Sequence, residues 1–430
     1  MRKITFFIAI CLSFAAMGQS AHDIAPRGVE PSRARVVPYH RLADAVAGDA
    51  SLSRYRCALE DFAVTEEGDN RIYTSYFSMG ASWLNRQLLL RVGYAESAYT
   101  VRVNDREVGF VPCGAMGAEF NITKMAAEGR NKVEIVLQKS HEANRIYATR
   151  SKGVKGVEVL CQPTLRVRDA LVSVSLNDSG DGVAEFALPV KCDALNPKSA
   201  RLHYILRQND TIVVAEGYRE ITLDMRREDT VRFACVVPRA VLWSTNNPSQ
   251  LRLDVESRIE NRVVEALSRR VGLREVKIAD GKLQVNGEVV NLNFAELEAL
   301  SSLDEAQKMG YKGVIVTLDD GAVEVIKECS ARGLCVMVRT PIDTRSLGDH
   351  IRRGGNPSNV PLWGENYLWS NSQNYNAVKS EPSVVGYMLG RGTTSGINIQ
   401  ESYLLLKRLA PHSIIFYEGA QGEWCCDNLK

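Results

Sequence analysis

The chain has almost no charge imbalance. Its 53 Lys and Arg face 51 Asp and Glu, for a formal net charge of +2, which excludes the chain-wide basic footprint of a nucleic-acid binder. Histidine is scarce: the six present are dispersed, with none at a metal-ligand spacing. A phosphate-cradling loop is missing too, because Gly354-Gly355 follows Arg352-Arg353 without a strand-to-helix context. The short run His350-Ile351-Arg352-Arg353 reads as a solvated face. Beyond the N-terminus no apolar run is long enough to span a bilayer, so no transmembrane segment is expected. Cysteine is present but unpatterned. Ten residues are scattered, and setting aside Cys11 leaves an odd number, which excludes a disulfide-framework mini-fold. Cys425 and Cys426 are adjacent, which suits neither a tetrahedral zinc pair nor relaxed disulfide geometry. No metal, cofactor or nucleic acid is expected.

What is present is ordinary globular composition, 45% hydrophobic and 24% charged. At about 100–200 residues per domain, 430 residues make two to four domains. The first residues have the layout of a secretory signal peptide: Met1-Arg2-Lys3 is basic, Ile4 to Ala16 is apolar, and Ala16 and Gly18 are the small residues before a cut. Residues 1–18 are therefore expected to be removed and the mature protein exported, to a periplasm or to the cell surface. Residues 19–53, polar and punctuated by Pro26, Pro31 and Pro38, read as an extended leader.

From 54 to 165 the pattern is short alternating runs with turn signals. Leu88–Val92, Ala98–Val103 and Val133–Leu137 are strands, and Asn104-Asp105 turns between two hairpin arms. Such spacing predicts a β-sandwich of jelly-roll type. Residues 166–275 again alternate with period two, at Leu171–Ser175, Leu202–Leu206 and Leu251–Val255, and the length suits an immunoglobulin-like sandwich. From 276 to 430 strands alternate with helices. Five strands are expected at 283–292, 313–317, 334–338, 383–389 and 413–417, with helices at 301–309, 322–331 and 399–409 and an irregular one at 365–378. This order predicts a parallel sheet.

Several strings resemble glycoside hydrolase family 2, which holds bacterial β-galactosidases, β-glucuronidases and β-mannosidases. Ala98-Tyr99-Thr100-Val101-Arg102-Val103-Asn104-Asp105 through Gly109 is similar to the family's "Val-Asn-Gly-Lys … Val-Gly" hairpin. Glu119-Phe120-Asn121-Ile122-Thr123 with Gly129-Arg130-Asn131 is similar to "Glu-Phe-Asp-Ile-Thr … Gly-Glu-Asn". Leu242-Trp243-Ser244 through Pro248, Gly272-Leu273-Arg274, Pro382-Ser383-Val384-Val385 and Tyr417-Glu418-Gly419 resemble further family strings in the same order. The resemblance implies a jelly roll, an immunoglobulin-like sandwich and the first five strands of a TIM-type β/α barrel, here truncated.

The resemblance also implies where chemistry belongs. Retaining glycosidases use two carboxyl groups about 5–5.5 Å apart, one protonating the leaving oxygen and one attacking the anomeric carbon. In a barrel both sit at the C-terminal ends of strands. The family's acid/base is the Glu of "Leu-Gly-Asn-Glu" after the fourth strand, and this sequence reads Leu389-Gly390-Arg391-Gly392-Thr393-Thr394 there. None of these residues titrates as a general acid near neutral pH. The nucleophile belongs to a seventh strand, which the five strands counted do not reach. The strand ends Asp319-Asp320 and Thr340 to Arg345 also depart from the family strings.

Three readings follow. The first is an exported, catalytically inactive relative that binds a glycan or a protein, or serves a structural role in the cell envelope, with Glu418, Trp363 and Trp424 as ligand candidates. The second is an active β-glycosidase with a relocated site drawn from Asp319, Asp320 or Asp343 with Glu418. The third is a gene remnant. Five barrel strands would leave Ser413–Tyr417 as an open, apolar edge. That edge calls for a folded-back tail, a partner chain or a second copy, or else marks a fragment of a longer ancestral gene.

Overall fold

The structure is a computed structural model describing residues 25–290, 293–299, 302–347, 355–420 and 423–427. The expected signal segment and the basic run at 350–353 lie outside the described residues. The leader is less extended than expected. Leu42–Ala47 forms one helical turn and a half, closed by Gly48 in the left-handed conformation. The segment is also pinned to both sandwiches: Arg33 pairs with Glu119 at 2.7 Å, and Tyr39 exchanges backbone hydrogen bonds with Ala266 at 2.9 and 2.8 Å.

Residues 56–162 build two large antiparallel sheets and a two-stranded ribbon, Tyr94–Ala95 with Val154–Lys155. One holds five strands, in the order Ala63–Glu67, Asn70–Met79, Gly129–Gln138, Tyr99–Val103, Arg106–Val111; the other holds Arg56–Leu59, Val157–Gln162, Gln87–Val92 and Ala118–Asn121. The expected turn at Asn104-Asp105 has φ of 49° and 63°, the left-handed pair that a two-residue hairpin needs. Residues 165–271 form a second sandwich, with Lys198–Gln208 central in one sheet and Gly182–Cys192 central in the other. Phe186, Phe233 and Tyr204 stack through its middle.

The chain then makes a short antiparallel hairpin, Val276–Ala279, Lys282–Val285 and Glu288–Val289. This corrects the sequence reading, which took 283–292 as the first parallel strand. Asn286-Gly287, with φ of 53° and 77°, is a hairpin turn signal that reverses the chain. The first parallel strand is β1 (Phe294–Glu296), followed by β2 (Gly313–Thr317), β3 (Cys335–Arg339), β4 (Val384–Met388) and β5 (Ile414–Phe416), hydrogen-bonded in that sequential order. The connecting helices are α1 (Leu303–Lys308, capped by Ser302), α2 (Ala322–Arg332), α3 (Gly364–Val378) and α4 (Ile397–Leu409). Helix α3 is regular over 15 residues, not irregular. It lacks a clear apolar stripe because its buried Asn371 and Asn374 bond Tyr367 O and Val338 O at 2.9 and 3.1 Å.

Alternation along the parallel strands separates two faces. Val314, Val316, Val336 and Val338 join one core with the helices and the first sandwich. Cys335, Met337, Val385 and Ile414 point the other way, onto Leu283 and Val285 of the hairpin and onto Trp243. Trp243 is fully buried and donates its indole N–H to Ser330 O at 2.7 Å. The edge of β5 is not bare. Asp427 returns to it: its backbone N–H bonds Ile415 O at 2.9 Å, and its carboxylate accepts Ile415 N–H at 2.8 Å. The same carboxylate pairs with Lys407, which also bonds Ser413 O at 3.0 Å. Residues of this chain therefore occupy the outward groups of Ile415, as the folded-back tail among the alternatives for this edge would.

Candidate functional site

The first sandwich reaches the C-terminal end of the parallel sheet, where Tyr147 bridges Ile342 and Ala148 N–H bonds Pro341 O at 2.9 Å. Side chains that continue the hairpin-facing side of the sheet turn charged there. Arg339 closes β3 and is 1% exposed. Its Nη1 bonds Glu296 Oε2 at 2.9 Å, its Nη2 bonds Glu296 Oε1, and Nη2 lies 3.2 Å from Glu418 Oε1. Glu296 is the last residue of β1, and Glu418 follows β5 by two residues.

The loop after β4 adds the second guanidinium. Arg391 forms a bridge with Asp343 that extends the β3–β4 pairing, with Arg391 N–H to Ile342 O at 2.8 Å and Thr344 N–H to Arg391 O at 3.0 Å. This pairing aims the Arg391 side chain across the strand ends. Its Nη2 bonds Glu296 at 2.9 Å, its Nη1 bonds Glu298 at 3.0 Å, and its Nε lies 3.5 Å from Glu418 Oε1. Gly392, at φ +66°, donates its N–H to Glu418 Oε2 at 3.2 Å. A Cβ there would lie 2.7 Å from Arg345 Cγ, so glycine suits the position twice over. Arg150, from the first sandwich, closes onto Glu298. Three carboxylates and three guanidiniums thus meet at one end of the sheet. Both oxygens of Glu418 have partners, one facing guanidiniums and one an N–H.

The other expected acids are elsewhere or otherwise committed. Asp319 Oδ2 accepts Arg150 N–H at 3.1 Å, and Asp320 accepts Ser151 Oγ at 2.7 Å and pairs with Lys155. Both therefore fasten the parallel sheet to the first sandwich. Asp343 is clamped by Arg345, with Oδ2 to Nη2 at 2.6 Å. None of the three bonds Glu418. Burial raises the Asp319 carboxyl above its ordinary value. For Glu298 and Asp343 burial acts in the same direction but is outweighed, by Arg391 and by Arg345, and both end below the ordinary carboxylate range. Among the degenerate loop residues, Thr393 is buried and its hydroxyl has no partner among the described residues, while Thr394 meets Ser358 Oγ at 3.1 Å.

The candidate tryptophans are not at this end cluster. Trp424 is 60% exposed and meets Tyr403 of α4 edge-on at 6.1 Å. Trp363 is half-buried before α3 and lines a cleft against the first sandwich. Sequence reasoning missed Glu296, Glu298 and Arg150. Reading Asn286-Gly287 as a turn would have moved β1 to Phe294–Glu296 and put Glu296 at a strand end.

Comparison with known proteins fits this architecture. Residues 31–149 match the family described as glycosyl hydrolases family 2, sugar binding domain. A β-galactosidase of Priestia megaterium is 22% identical over 83% of this chain and 37% of its own length, and one of Leuconostoc mesenteroides is 22% identical over 75% and 33%. The chain thus spans about a third of the length of these curated relatives. Among solved structures, a Bacteroides uniformis β-glucuronidase superposes with a TM-score of 0.66 at 15% identity, covering 81% of this chain and 46% of that one. A β-D-glucuronidase for Dictyoglomus thermophilum gives 0.67 at 14%, covering 86% and 73%. At those identities the superpositions speak to the fold. The matched domain and the curated relatives, which align over three quarters or more of this chain, are thus similar to this chain within glycosyl hydrolases family 2.

Proposed function

We propose that this chain is an exported, non-hydrolysing family 2 protein that binds a glycan in the cell envelope. One observation carries the reading. Arg391-Gly392 stands where family resemblance puts Asn-Glu, so Gly392 takes the acid/base position and the adjoining Arg391 guanidinium is spent on Glu296, Glu298 and Glu418. A fixed positive charge beside that position opposes an oxocarbenium-like transition state, and Gly392 has no side chain to donate a proton. The sugar-binding description of the family matching 31–149 supports a saccharide as the retained ligand. The layout of residues 1–20 supports export. The sequential strand order supports reading the parallel sheet as an arc of a β/α barrel, behind a jelly roll and an immunoglobulin-like sandwich. The test is turnover of nitrophenyl β-galactoside, β-glucuronide and β-mannoside by this chain. No release above the buffer rate is expected, and release that survives repurification overturns the reading.

A second reading, hydrolysis from a relocated site, draws support from Asp319. It lines a cleft of about 160 Å3 with Glu298 and Arg150, and its raised carboxyl has the direction a general acid needs. Turnover abolished by Asp319→Asn would favour it.

A further inference from the structure

A second cleft lies away from the strand ends, between the edge of the first sandwich and the start of α3. Its volume is about 460 Å3, inside the ~300–1,000 Å3 range of small-ligand pockets. One wall is aromatic and comes from the sandwich: Phe110, on the edge strand Arg106–Val111, packs against His141 with ring centroids 4.9 Å apart. The opposite wall is Trp363, half-buried at the end of the turn Pro361–Trp363, in none of the ring-to-ring or ring-to-cation contacts formed among the described residues. Trp369 also lines the cleft. It is 2% exposed, and its indole N–H has no acceptor among the described residues. A buried donor without a partner costs free energy that a ligand oxygen or an ordered water at the site would recover.

The polar rim is equally unspent. Glu142 and Glu365 line the cleft, are exposed, and make no hydrogen bond or ion pair with another described residue. His141 uses Nδ1 to accept Ala143 N–H at 3.2 Å, which leaves Nε2 for another partner. Flat aromatic faces beside free carboxylates suit one class of molecule. The apolar C–H face of a pyranose covers an indole ring, and its hydroxyls donate to carboxylates. With two carboxylates against Arg27 as the cation of the lining, a neutral sugar fits better than an acidic one.

We propose that this cleft is a neutral-pyranose subsite, with Trp363 as the stacking face and Trp369, Glu142 and Glu365 as hydrogen-bonding partners. It rests on the glycan-binding reading and gives that reading a place distinct from the strand-end cluster.

The experiment titrates the full chain with methyl β-D-galactopyranoside, methyl β-D-glucopyranoside and methyl β-D-mannopyranoside, with methyl β-D-glucuronide as the acidic comparison. Tryptophan fluorescence and saturation-transfer NMR follow binding. At least one neutral glycoside is expected to bind, at roughly millimolar Kd, and more tightly than the glucuronide. Trp363→Ala is expected to weaken binding at least tenfold, Trp363→Phe by less, and Trp424→Ala not at all, with circular dichroism unchanged throughout. Binding that survives Trp363→Ala but is lost in Arg391→Gln overturns this site while leaving the glycan-binding reading in place. No binding of any glycoside overturns both.

Discussion

The two ends of the parallel sheet make the sharpest contrast in the molecule. At its N-terminal end the hairpin-facing side is apolar and sealed: Cys335, Met337, Val385 and Ile414 meet the hairpin through Leu283 and Val285, with Trp243 fully buried against them. At its C-terminal end the same face becomes a ring of opposite charges, Glu296, Glu298 and Glu418 against Arg150, Arg339 and Arg391. The sealed end is held by area removed from water, which is indifferent to exact side-chain identity. The charged end is held by paired geometry, in which each group restricts the next. Arg391 faces all three carboxylates, next to the Gly392 that stands where the family resemblance puts a Glu.

The contrast can be broken at either end. The largest effect is expected at the sealed end. Trp243→Ala removes a fully buried indole and its 2.7 Å bond to Ser330. It is expected to cost about 3–5 kcal/mol in urea unfolding, and a loss below about 1 kcal/mol would mean the hairpin does not seal the sheet. Next comes Arg339→Met, which leaves Glu296 and Glu418 without their buried guanidinium. About 3 kcal/mol is expected on the scale of broken buried pairs, and the loss should shrink in Arg339→Met combined with Glu296→Gln. If the two changes simply add, the cluster is a set of independent surface contacts.

Asp427→Ala tests the edge of β5. It removes the acceptor for Ile415 N–H and the partner of Lys407. A loss of about 1–2 kcal/mol is expected, with concentration-dependent self-association in light scattering because an apolar strand edge is freed. A monodisperse variant would show that the clamp is not what guards the edge.

The smallest effect is a pH dependence. The raised Asp319 carboxyl means that the folded chain holds this proton more tightly than the unfolded one, so its contribution favours folding at low pH and is lost as pH rises through the raised value. Asp319→Asn is therefore expected to gain unfolding temperature relative to the unaltered chain as pH goes from 3 to 7. A constant difference across that range would contradict the assignment.

Much of the sheet was legible in sequence. Gly313–Thr317 is a short apolar run bounded by turn signals, and Ala322 with Gly333 brackets a helix, so both elements fall within a residue of expectation. Helix α3 was less legible because buried polar residues interrupt its apolar stripe, Asn374 donating to Val338 O and Asn371 accepting from Thr340 Oγ1. The charge cluster was the least legible part. Glu296, Arg339, Arg391 and Glu418 are far apart in sequence, and each alone reads as an ordinary surface charge. Only the sequential order of β1 to β5 brings them together. Arg391 and Glu418 were marked because family resemblance marked their positions. Glu296 was lost with the misplaced first strand, and the Asp427 clamp has no local pattern to betray it.

The most direct test of the central claim is covalent labelling. The full chain would be incubated with epoxide or aziridine mimics of β-galactose and β-glucuronic acid, reagents that esterify the carboxylate nucleophile of a retaining glycosidase. Intact-mass measurement then reads the adduct. If the strand-end carboxylates are spent on guanidiniums, the mass stays that of the unlabelled chain. A stoichiometric adduct mapping to Glu418, Glu296 or Glu298 would contradict the account and return this end of the sheet to catalysis.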